Sequence, residues 1–319
     1  MGGGPEIAVM HTHAPEMIAE LEETARQARI TTIEMISRAG SGHPGGSLSC
    51  AEILTCLLRH QAHISATEPR MPDRDRLVLS KGHAAPMLYA LLAGLGYFPR
   101  ERLDELRTLG AMLQGHPDMT KTPGVDMTSG SLGQGISVAA GMALGARLDG
   151  LKCRVFAVLG DGETNEGQVW EAALFAAHYK LANLTVVIDH NDVQLDGRCE
   201  DILSHDPLPE KWRAFRWNVL HADGHSVADL LDKLDAAAAH PDGPTVIIAD
   251  TVKGKGVSFM EGRWEWHGKT ISPDECRRAV AELKGERLAH GNQFSHGVPC
   301  ARRSARRSSR WARRIRASS

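Results

Sequence analysis

Apolar positions first fall into register at residue 15. From Pro15 to about Arg38, residues Ile18, Leu21, Ala25, Ala28 and Thr32 recur at helical spacing, and Gly40 stands where a helix C-cap glycine belongs. A second apolar helix is predicted over about 50–59. Strands and helices then alternate. Residues 76–80 read as a short strand and 84–95 as a helix. A Gly-rich loop leads into a small-residue helix at 133–148. Residues 154–159 read as an apolar strand and 184–189 as the next buried strand, separated by a helix over about 166–179, and strand 217–221, helix 227–239, strand 245–251 and helix 273–284 complete the series. Apolar strands alternating with helices predict an α/β fold, a doubly wound and mostly parallel sheet with helices on both faces. The pattern has no internal repeat. It fits one domain over 15–285, between a Gly-rich leader at 1–14 and an unpatterned stretch at 286–319.

Composition adds little to this frame. Hydrophobic residues at 42% and a net charge of -2 describe an ordinary soluble domain with no overall field for nucleic acid or an acidic membrane. The last twenty residues carry eight arginines and no acid, which reads as a solvated, disordered basic tail with no assigned function. The six cysteines form no CxxC pair, no apolar run reaches membrane-spanning length, and no signal-peptide pattern is present. A cytoplasmic protein with reduced thiols is the expectation.

Candidate chemistry sits at two strand ends. In open parallel sheets, ligands bind at the carboxyl ends of the strands. Gly160-Asp161-Gly162 directly follows one apolar strand, and Asp189-His190-Asn191-Asp192 follows the next. Glycines flanking Asp161 permit a sharp turn and close approach to a phosphate. A carboxylate from one loop and an amide oxygen from the next suit a single divalent cation. Mg²⁺ takes such hard oxygens and shares them with a diphosphate and water. The helix opening near Glu166 aims its positive end at the same anion. A Gly-Asp-Gly turn alone is weak; the pair of loops carries the signal.

That pair, with the asparagine thirty residues after the aspartate, resembles the thiamine-diphosphate fingerprint. Over about residues 20–285 the sequence resembles the transketolase family. Ser41-Gly-His-Pro-Gly-Gly-Ser47, Ser80-Lys-Gly-His83 and Gly115-His-Pro-Asp118 are similar to its three histidine loops. Thr128-Ser-Gly-Ser-Leu-Gly-Gln-Gly135 is similar to the loop over the cofactor. Lys253-Gly-Lys-Gly256 with Trp266-His267-Gly268 is similar to the segment that ends this half of the enzyme.

The resemblance implies roles residue by residue. Asp161, Asn191 and the Val193 carbonyl would hold Mg²⁺, or Ca²⁺ or Mn²⁺ in its place. Gly160 and Gly162 would shape the diphosphate turn, with His83 and His267 as diphosphate contacts. Gly130, Ser131 and Leu132 would lie against the aminopyrimidine. His43 and His116 would contact sugar hydroxyls, and His267 would also face the reacting centre. Glu166 would sit at a subunit interface, linked to an activating glutamate of a partner. Taken singly, His43 and His116 read as loop histidines making local hydrogen bonds, and Glu166 as a helix-start carboxylate. Gly133 and Gly135 are assigned to cofactor approach in preference to helix packing. Asp192 departs from the pattern: its charge either points to solvent or weakens cofactor binding.

The implied activity is thiamine-diphosphate-dependent transfer of a two-carbon ketol unit between sugar phosphates. The family's pyrimidine-side domain has no counterpart in the sequence after about Gly285. The expectation is therefore a separate C-terminal-half subunit in a dimer of heterodimers, with no nucleic-acid or membrane partner. The alternatives are another thiamine enzyme subunit (similar to deoxyxylulose-phosphate synthase or a 2-oxo acid dehydrogenase) and a non-catalytic truncated or decoy protein.

Overall fold

The computed structural model describes residues 13–286; the predicted basic tail and most of the leader lie outside them. Five strands, β1 (Arg76–Leu79), β2 (Val155–Gly160), β3 (Leu184–His190), β4 (Asn218–Asp223) and β5 (Thr245–Asp250), form one parallel sheet in the order β1-β2-β3-β5-β4. The register sets Gly160 opposite Asp189, so the two polar strand ends lie side by side.

The helices are α1 (Pro15–Ala39), α2 (Pro44–Ser49), α3 (Ala51–Cys56), α4 (Ala85–Gly94), α5 (Gln134–Leu148), α6 (Gly167–His178), α7 (Cys199–Ile202), α8 (Leu208–Ala214), α9 (Val227–Ala238) and α10 (Pro273–Lys284). The chain steps from β2 to β3 through α6, then from β4 back to β5 through α9, in the opposite lateral direction. Right-handed crossovers therefore place α6 and α9 on opposite faces. Alternate strand residues follow suit. Phe156 and Val158 join Leu230, Leu231 and Leu234 of α9 in one core, and Val155, Ala157 and Leu159 join Val169, Ala172 and Ala173 of α6 in the other. Burial on both faces is why these strands lack alternation in the sequence.

Local differences from the sequence reading have physical causes. The helix expected over 50–59 begins earlier, at Pro44, breaks at Cys50 (φ -97°, ψ 18°) and ends in a π turn over Leu57–Gln61. The Pro-Gly-Gly of α2 carries no apolar period because its residues pack against a polar site. The apolar pattern does not mark α8, a short helix whose Trp212 is fully buried against Trp170 and Trp217. The strand expected over 217–221 is shifted to 218–223. Cys50 and Cys56 are buried in the core, where they pack as small apolar groups. No helix among the described residues is long and apolar enough to cross a membrane.

Candidate active site

At the carboxyl end of β2, Asp161 is buried, with 2% of its surface exposed. Its carboxylate accepts from the amides of Gly162 (2.7 Å) and Asp192. The Asn191 Oδ1 accepts from Val193 N at 3.2 Å, which fixes the amide at the end of β3. Burial, and then the charge of Asp189, push the Asp161 carboxyl above the usual range, only partly offset by the Gly162 N–H. No lysine or arginine among the described residues pairs with it. A buried carboxylate so placed is one that a dication stabilises.

Asp192 takes the solvent-facing alternative. It holds a left-handed backbone (φ 58°), its N–H serves Asp161, and its own carboxylate turns outward to Arg198 at 2.7 Å. Its charge is thus matched on the surface and directed away from the strand ends.

Below this turn lies a buried ion pair absent from the sequence reading. Lys81, just after β1, pairs through Nζ with Asp189 Oδ2 and donates to Gly46 O at 2.9 Å; the two side chains are 1% and 0% exposed. Burial opposes both charges. The pair outweighs it, together with hydrogen bonds from Ser49 (2.6 Å) and Thr251 to Asp189, so the lysine pKa lies above and the aspartate pKa below its ordinary value. Glu163 is a second unforeseen buried carboxylate. It accepts from Ser80 Oγ, Gly133 N (2.8 Å) and Gly160 N (3.1 Å), tying β1, the loop before α5 and β2 together.

The four histidines expected from three loops and the 264–267 turn converge. Ring centroids are 5.6 Å apart for His43–His83, 5.8 Å for His43–His116, 5.4 Å for His43–His267 and 5.0 Å for His83–His267. Tyr89 anchors the third loop by donating to the carbonyls of Gln114 (3.0 Å) and His116 (3.2 Å). Gly130 packs against the His116 ring, and its amide borders Gly82, next to His83. Ser131 and Leu132 are exposed at the rim. Glu166 is exposed as well, at the start of α6, and Gly133 packs against it.

Gly133 and Gly135 have close protein neighbours. At Gly133 (φ +82°) a Cβ would lie 2.8 Å from Glu166 Cβ, and at Gly135 it would lie 2.7 Å from Ser80 Cα. Both glycines permit close packing of the start of α5 against its neighbours.

Lys253 is the main omission of the sequence reading, which takes its segment only as a motif. Its Nζ donates to the carbonyls of Val193 (2.8 Å) and Gln194 (3.1 Å) and lies 3.2 Å from His267 Nδ1. A metal on the Val193 carbonyl therefore has to share that oxygen with the ammonium or displace it. Burial, and then the nearby Lys81, lower the Lys253 pKa to about 8. A buried network holds this segment: Arg29 pairs with Glu52, Glu52 with His225 Nδ1 (3.0 Å), and His225 Nε2 accepts from Val252 N (2.8 Å). Carboxylate and amide oxygens, a buried ammonium and four imidazoles thus line one end of the sheet, a donor set matched to a metal–diphosphate group. His43 Nδ1, buried with no hydrogen-bond partner among the described residues, adds a polar atom on that wall.

The imidazoles are held neutral. Burial, then the positive charges of protonated His116, Arg107 and Lys253, lower the His43 pKa to about 4; burial and Lys253 lower His267 to about 3. Unfolded imidazoles titrate near 6.5. Between 6.5 and about 4 the unfolded chain binds protons that the folded chain refuses, so stability is lost as pH falls through that window. Urea unfolding midpoints measured from pH 7 to 4.5 are expected to fall steadily, with a shallower slope in His43→Asn/His267→Asn. A slope unchanged by those substitutions would contradict the assignment.

Residues 21–288 match the family described as the transketolase thiamine diphosphate binding domain. A 6-deoxy-6-sulfo-D-fructose transketolase subunit of Clostridium sp. (strain MSTE9) is 45% identical over 271 residues, 85% of this chain and 98% of that protein. An apulose-4-phosphate transketolase subunit from Actinobacillus succinogenes is 43% identical, over 84% of this chain and 97% of that protein. The crystal structure of the Campylobacter jejuni transketolase superposes with a TM-score of 0.79 at 30% identity, covering 84% of this chain and 43% of that one. With the matched family spanning the whole described sheet and its site, this chain belongs to the transketolase family, as its thiamine-diphosphate-binding part.

Proposed function

We propose that the chain is the diphosphate-side subunit of a two-chain transketolase that moves a two-carbon ketol unit from a ketose to an aldose, each bearing a terminal anionic group. The observation that carries this reading is the convergence of Asp161 and Asn191 with Lys253 and four histidines at one end of the sheet. Asp161, Asn191 and the Val193 carbonyl would hold Mg²⁺, and His83, His267, Lys253 and the Gly160–Gly162 turn would receive the diphosphate. When bound, thiamine diphosphate supplies the nucleophilic carbon and the electron sink for carbon–carbon cleavage. His43 and His116, held neutral, donate to sugar hydroxyls or accept from them. His267, fixed by Lys253 at its Nδ1, keeps a ring edge for proton transfer near the reacting atoms.

Glu166, exposed beside the 130–133 loop, faces a pyrimidine-side partner chain in this reading. Two relatives that the chain covers almost end to end are named as transketolase subunits, which supports a two-chain enzyme. The natural symmetric assembly is two of each chain. The five described cysteines are unpaired, in keeping with a reducing cytoplasm.

The test is a transketolase assay with Mg²⁺ and thiamine diphosphate, on this chain alone and mixed with a pyrimidine-side subunit from its own genome, using phosphorylated and sulfonated ketose donors. Turnover only in the mixture is the expected result. Turnover by this chain alone would overturn the two-subunit reading. A mixture that binds cofactor but transfers no ketol unit would overturn the activity.

A further inference from the structure

Beside the oxygen ligands stand two histidines that the proposed reaction does not use, gathered around Asp161. His190 closes β3, one residue before Asn191. His205 lies in the segment between α7 and α8, and Asp161 follows β2. A ligand atom from each of these three side chains lies within 4.8 Å of the other two. The His190 and His205 rings meet at 79° with their Nε2 atoms 3.0 Å apart.

The tautomers sharpen this contact. Asp250 Oδ1 lies 2.7 Å from His190 Nδ1 and accepts its proton, which leaves the His190 Nε2 lone pair aimed at His205. The resulting Asp250–His190 pair is the outer carboxylate–histidine arrangement that orients imidazoles toward metals. His205 is 2% exposed, and its Nδ1 has no hydrogen-bond partner among the described residues. A proton on His205 Nε2 would satisfy the contact but leave Nδ1 as a bare buried acceptor. A proton on Nδ1 would point the two Nε2 lone pairs at each other, tolerable only with a cation between them.

We infer that Asp161, His190 and His205 form a site for a borderline transition-metal dication of the zinc class, separate in donor set from the Asp161–Asn191–Val193 oxygen site and sharing Asp161 with it. Imidazole nitrogens favour such ions over Mg²⁺, which prefers oxygen. Nitrogens bonded to one tetrahedral Zn²⁺ at ~2.0–2.1 Å sit ~3.3 Å apart, so the rings need to part by only a few tenths of an ångström. Three protein ligands leave a fourth position open. Because Asp161 belongs to both donor sets, a zinc-class ion here competes with Mg²⁺ for that carboxylate.

The experiment uses the full chain stripped of metal, titrated with Zn²⁺ against a chromophoric chelator and with Co²⁺ by visible absorption. One ion per chain is expected, with the Co²⁺ spectrum of a nitrogen-containing, low-coordinate site. His205→Asn and His190→Gln are each expected to weaken Zn²⁺ binding at least about tenfold. His43→Asn, in the other histidine cluster, is expected to leave it unchanged, and thermal melting checks that the variants fold. Equal Zn²⁺ affinity in the wild type and both cluster variants would overturn the site, as would loss of binding on His43→Asn alone or an all-oxygen Co²⁺ spectrum. The readout is metal binding, so its failure leaves the transketolase reading intact; that reading needs only the oxygen set.

Discussion

Asp161→Ala is expected to lower the activity of the proposed two-chain enzyme, once reconstituted, at least about 100-fold, with a matching loss of the proposed Mg²⁺-dependent cofactor affinity by calorimetry. Asp161 is buried, its pKa is raised first by burial and then by Asp189, and no lysine or arginine among the described residues neutralises it. In the absence of a cation its charge is a burden on the fold. Removing it relieves repulsion with Asp189 and costs the acceptor for the Gly162 and Asp192 amides, about 1 kcal/mol each, so the net change in stability stays within about 2 kcal/mol. Function and stability therefore separate at this residue. Asp161→Asn keeps an oxygen for one amide and drops the charge, and it is expected to bind cofactor as poorly as the alanine variant. Unchanged cofactor affinity in both variants would remove Asp161 from the proposed metal site.

Lys81→Met is expected to have the largest effect on stability. The ammonium and the Asp189 carboxylate are almost wholly buried against each other. Removing one member of such a pair leaves an uncompensated buried charge, a loss of about 3–5 kcal/mol. Urea unfolding at pH 7.5 would report it as a lower midpoint with an unchanged slope. Lys81→Met/Asp189→Asn is expected to recover at least half of the loss, because the amide keeps an acceptor for Ser49 and Thr251 without the charge. A single variant that loses less than about 1 kcal/mol would show that water or another cation reaches Asp189 and that the pair does not hold these loops.

These two residues mark the boundary between what the sequence shows and what folding adds. Asp161 is legible because its chemistry is written locally: glycines on both sides, an apolar strand before it, and Asn191 in the matching position after the next strand. His43, His83, His116 and His267 are legible only through resemblance, since each alone is an ordinary loop histidine. Their convergence, with the other three rings each within 6 Å of His43, is a property of the packed loops. Lys81 stands beside His83 in a visible motif, yet nothing local distinguishes a buried lysine from a solvated one; its partner Asp189 is 108 residues away.

Local sequence dictates the alternation of strands and helices, the sheet's burial on both faces and the two polar strand ends, because hydrophobic period and turn chemistry act over a few neighbouring residues. Packing in three dimensions sets the strand order and the charge pairing of Lys81 with Asp189. It also sets the anchoring of Lys253 on the Val193 carbonyl, the packing role of Gly133 and Gly135, and the meeting of His190 with His205. Each of these depends on segments far apart in the chain coming within a few ångströms. Coulomb and hydrogen-bond energies act over that short distance in space, and sequence separation carries no record of it.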